Sequence, residues 1–76
     1  MLKIARKILN NANISEDEFI KPEDSKPIKL AKWILHDYRQ FKYSQNAKDL
    51  AQCRHYFNCA LLNFKALNQW IKYNDL

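Results

Sequence analysis

The sequence contains no glycine. Tight hairpin turns, strand bulges and phosphate-cradling loops draw on glycine for positive φ. Its absence argues against β-rich architectures and against every glycine-rich nucleotide loop. The two prolines, Pro22 and Pro27, fall inside one short stretch, so the rest of the chain carries no proline to interrupt a helix. Two cysteines are too few for a disulfide framework. No apolar run approaches the roughly 20 residues needed to span a bilayer, and residues 1–11 lack the apolar core and cleavage site of a secretory leader. A cytoplasmic protein with no membrane span is expected, in which the sequon Asn13-Ile14-Ser15 is a chance match.

What is present points to a folded helical chain. Of 76 residues, 47% are hydrophobic, and two Trp, four Tyr and four Phe argue against disorder. A chain this short buries only about 60% of its unfolded surface, so one domain, residues 1–76, with a thin core is expected. Asparagine is abundant, and it can take the left-handed positions that helix ends require.

Leu2, Ile4, Ala5, Ile8 and Leu9 recur at helical spacing with Lys3, Arg6 and Lys7 on the other face, predicting a helix over about 2–10. In "ISEDEF", Ser15 and Glu18 form a capping box and Ile14 with Phe19 a hydrophobic staple, predicting a brief helix over 15–20 that Pro22 stops. Residues 21–26 read as a loop. Pro27 suits the first turn of a new helix over 27–41, with Leu30, Ile34, Tyr38 and Phe41 on its core stripe. Ser44 or Asn46 can cap a last helix over about 46–73, although a single bent helix through this region is the rival reading. The expected fold is all-α: a small helical bundle in which the helix over 27–41 and the long last helix form an antiparallel hairpin. The short N-terminal helix and turn pack on that hairpin.

The last helix carries two apolar series. Leu50, Cys53, Phe57, Ala60, Phe64, Leu67 and Ile71 follow steps of three and four and read as core. Tyr56, Cys59, Asn63, Ala66, Trp70 and Tyr73 repeat the spacing on an adjacent face, with the Tyr/Trp enrichment of interface hot spots. A helix apolar over so wide an arc needs a second cover. A homodimer or a larger protein target is one cover; the N-terminal helix and the "ISEDEFI" turn, in a monomeric bundle, are the other.

The chemistry-bearing residues are sparse. Cys53, His55 and Cys59 give C-x-H-x3-C, but helical spacing sends Cys53 away from the other two and a fourth ligand is missing, so no metal and no cofactor is expected. Cys59 with His55 lacks an oxyanion feature, and five of the eight acids cluster in residues 16–24, where capping and solvation explain them. No enzyme activity is expected.

The net charge of +5 is concentrated in residues 25–76, with nine Lys/Arg against three acids. Lys29, Lys32, His36 and Arg39, with Trp33 on the shoulder, form a face that could track a phosphate backbone or a single strand. Major-groove reading through "LNNANISEDEF" is improbable, because its would-be recognition helix opens on three acids and meets Pro22. The expected function is a small, non-enzymatic regulatory or inhibitory protein that docks through the apolar faces of its last helix. The alternative is a nucleic-acid-binding module that uses the basic face.

Overall fold

A computed structural model describes residues 1–74 and contains three helices: α1 Leu2–Asn11, α2 Lys26–Asn46 and α3 Leu50–Asn74. The α2–α3 hairpin is antiparallel. Early residues of α3 meet late residues of α2 (Phe57 on Phe41), and Asn63 meets Asp37 further back. α1 packs on α2, and the three most completely buried large side chains, Leu9, Ile34 and Leu67, come one from each helix. The expected helical bundle is therefore the observed fold.

Both interhelical breaks are built without glycine in the same way. After α1, Asn13 takes φ 58° while its N–H bonds the Asn10 carbonyl at 3.0 Å and the Ile14 N–H bonds Leu9 at 2.9 Å. After α2, Lys48 takes φ 58° while its N–H bonds Gln45 at 3.0 Å and the Asp49 N–H bonds Ser44 at 2.9 Å. These are paired Schellman hydrogen bonds, with non-glycine residues in the left-handed position that glycine normally holds. Asparagine supplies one of the two positions, as its abundance suggested, and lysine supplies the other.

Three boundaries differ from expectation. α2 runs to Asn46 rather than about 41, and α3 starts at Leu50 rather than about 46. Neither Ser44 nor Asn46 caps α3; Asp49 does, accepting the Gln52 N–H at 3.1 Å. The Ala47–Asp49 break also removes the bent-helix reading. The third difference is that residues 15–20 form one turn at Glu16–Asp17 and otherwise irregular backbone rather than a helix. Glu18 does reach the Ser15 N–H at 3.3 Å, so half of the capping box exists. Six residues ahead of a proline are too few to carry helix nucleation. Phe19 is 87% exposed, so the staple is absent, and Ile14 packs instead on the α1 core as part of that helix's C-cap.

The segment between α1 and α2 is fastened by side chains. Arg6 pairs with Glu16 at 2.6 Å, Arg39 donates to the Glu16 carbonyl at 2.9 Å, and Lys32 meets both Asp24 at 2.7 Å and the Phe19 carbonyl at 3.0 Å. Lys32 is only 2% exposed. The acidic cluster of residues 16–24 thus serves as the counter-charge for part of α2's basic face.

Candidate functional site

Length decides what is left open on α3. At 1.5 Å per residue, the 10 residues of α1 span about 15 Å, against about 37 Å for the 25 residues of α3. α1 packs on α2, and the second half of the first apolar series reaches the core that Ala5 and Leu9 share, with Leu67 inside it and Phe64 and Ile71 packed against it. The first half extends beyond that core. Leu50 is 80% exposed and Phe57 48%, with Leu61 beside them half-buried. The expectation that this whole series is core is therefore corrected: it is core from Ala60 onward and an open stripe before that.

The second series shows the converse. Tyr56, Cys59, Asn63, Ala66 and Trp70 are half-buried, and Tyr73 is 82% exposed. α2 itself covers part of this face: the Asn63 amide donates to Asp37 Oδ2 at 3.0 Å, and Tyr56 meets the His36 ring at 6.5 Å. Asp37 is buried, and it also lies 3.3 Å from His36 Nδ1. The polar Asn63 thus satisfies a buried carboxylate, as buried polar groups require. Neither N-terminal piece nor a second chain is needed at those two positions.

The basic face expected on α2 is divided. Lys32 is buried on Asp24, which corrects its placement on a solvated face, and Arg39 is engaged with Glu16. Lys29 and His36 are partly accessible and Trp33 is exposed. The Lys32 ammonium, by hydrogen bonding, and the Lys21 N–H beside it hold the Asp24 carboxyl below the usual carboxylate range.

Residues from both expected sites meet in one aromatic row across the hairpin. Trp33 stands edge-on to His36 at 5.3 Å, His36 to Tyr56 at 6.5 Å, and Tyr56 to His55 at 5.0 Å. His55 Nε2 then lies 3.7 Å from Cys59 Sγ. Cys53 is elsewhere, its thiol directed at the Phe41 carbonyl at 3.9 Å. Among the described residues no three His, Cys, Asp or Glu side chains converge as metal ligands, and no helix is long and apolar enough to cross a membrane.

Two features escaped the sequence reading. The exposure of Leu50 and Phe57 was signalled only indirectly, by the shortness of the first helical segment relative to the last. The buried Asp37 carried a clearer sign, since it lies one turn after Ile34 and one before Phe41, on the shoulder of the core stripe.

The chain matches no family model, no curated protein and no solved structure. The functional reading is carried by geometry.

Proposed function

We propose that this protein is a small, non-enzymatic regulatory or inhibitory protein that works by docking another protein on α3. The observation that carries this reading is the open stripe on α3 of Leu50, 80% exposed, and Phe57, 48% exposed, with half-buried Leu61 beside them. Contiguous exposed apolar surface on a small soluble domain marks an interaction site more often than scattered single residues do. Among the expected interface residues, Tyr73 is the most accessible, at the far end of α3.

The test is retention of a partner by the immobilised 76-residue protein and by the double variant Leu50→Glu/Phe57→Glu, with helicity checked by circular dichroism. Docking predicts a co-eluting protein, or a self-associated species in light scattering, that disappears in the variant. Monomeric behaviour of both proteins with nothing retained would contradict it. The nucleic-acid reading is left with Lys29, Trp33 and His36 as its free contacts. It predicts binding to oligonucleotides that weakens steeply with salt and is insensitive to Phe57→Glu.

A further inference from the structure

Along α3 the open stripe lies beside cations, with Asp49 just ahead of Leu50 at the start of the helix. Arg54 stands one helical turn from both Leu50 and Phe57, Lys65 stands one turn from Leu61, and both cations are exposed. From Leu50 to Asn74 the chain holds Arg54, Lys65 and Lys72 and no carboxylate. Several acids elsewhere in the chain are engaged. Glu16 pairs with Arg6, Glu18 with Lys21 and Asp24 with Lys32, all on the loop side of the molecule. Asp37 is buried on Asn63, and Asp49 caps α3.

This pattern discriminates between occupants. A second copy laid α3 against α3 would offer no carboxylate between Leu50 and Asn74 to receive Arg54 and Lys65. Like charges across an interface are a strong selector against a partner. An apolar stripe with acidic flanks meets no such penalty. The open length also suits a short helix: Leu50 to Leu61 covers about 17 Å, or three turns. At the Ile71 end, Ile4, Ile8 and Ile71 line an open cleft of about 430 Å³ with Lys7 at its rim, another apolar recess beside a cation.

We propose that the occupant is an amphipathic helix of a different protein, with Leu or Phe along one face and Asp or Glu on the flanks. Its apolar face lies on Leu50, Phe57 and Leu61, and its carboxylates meet Arg54 and Lys65. This is helix-in-groove recognition, with anchors read at i, i+3, i+4 and i+7. The proposal rests on the docking reading above and adds the chemistry of the partner.

The experiment is selection from a displayed library of helices about 20 residues long, enough to span the three turns of the stripe with flanking residues on either side. Every member carries Leu or Phe at the anchor positions and, at the flanks, a free choice of Glu or Lys. The wild-type protein is expected to enrich Glu at the flanks by about tenfold or more over Lys. The exposed-strip variant Arg54→Glu/Lys65→Glu is expected to reverse the choice, and Phe57→Glu to abolish enrichment with helicity kept. Enrichment of helices without charge preference, or a preference that the charge-reversed variant leaves unchanged, overturns the acidic partner while docking stands. A dimer of the isolated protein that Phe57→Glu dissociates overturns it in favour of a second copy. No enrichment together with a monomeric protein overturns the docking reading as well.

Discussion

Asp24 and Lys32 hold the loop against α2, and the two ends of that pair are not equivalent. The Lys32 ammonium is fully enclosed while the Asp24 carboxylate keeps some contact with solvent. Removing the carboxylate strands a buried cation, whereas removing the cation leaves an acid that water can still reach. Asp24→Asn is therefore expected to destabilise the protein more than Lys32→Met, measured by denaturant unfolding at neutral pH. The pair also sets an acid limit. The folded state lowers the Asp24 carboxyl, chiefly through Lys32 and then the Lys21 N–H. Its contribution is complete above the unfolded value of about 3.9 and is lost as the pH falls through the lower folded value. Asp17, lowered first by the Ser15 hydroxyl, follows the same direction. Thermal melts between neutral pH and about pH 3 should show this loss, and Asp24→Asn should flatten the Asp24 share of it.

Helices and their ends make a second set of expectations. Lys48 sits at φ 58°, where a side chain is unfavourable by about 1–2 kcal/mol and glycine is not. After allowing for the greater freedom glycine has when unfolded, Lys48→Gly should stabilise by about 0.5–1 kcal/mol. Asp49→Ala should cost about 1 kcal/mol through loss of the cap to Gln52. Both are read from denaturation midpoints at unchanged slope. The same elements show what can be read from sequence. The α2 core stripe and the start at Pro27 were legible because periodicity and proline are local signals. The break at Ala47–Asp49 was displaced because, with no glycine, the stop is made by a lysine in a left-handed conformation, which no local preference announces. The 15–20 helix failed for the opposite reason. Its local capping signal is real, but the segment's tertiary contacts with Arg6, Lys32 and Arg39 fix it as a loop.

In the whole molecule, the core reaches only the second half of the first apolar series of α3 and leaves Leu50 and Phe57 open. Leu67 is fully buried where the three helices meet, so Leu67→Ala should cost about 2–5 kcal/mol, a large share of the stability a domain this size has. Leu50→Glu, on the stripe, should change stability by no more than about 0.5 kcal/mol. That contrast was only partly visible in the sequence, where Leu50 and Leu67 belong to one periodic series. Periodicity reports which residues share a face, and only the lengths of the covering elements report where the cover ends. The basic face of α2 is divided for a related reason, since Asp24, which pairs with Lys32, and the Glu16 carbonyl, which accepts from Arg39, lie in the loop ahead of the helix. The most direct measurement is an amide chemical-shift titration of the 76-residue protein with an acid-flanked amphipathic helical peptide. The predicted result is perturbation centred on Leu50, Arg54, Phe57 and Leu61 and on the last turns of α2. Perturbation confined to the Trp33–His36 face, or none at saturating peptide, would contradict it.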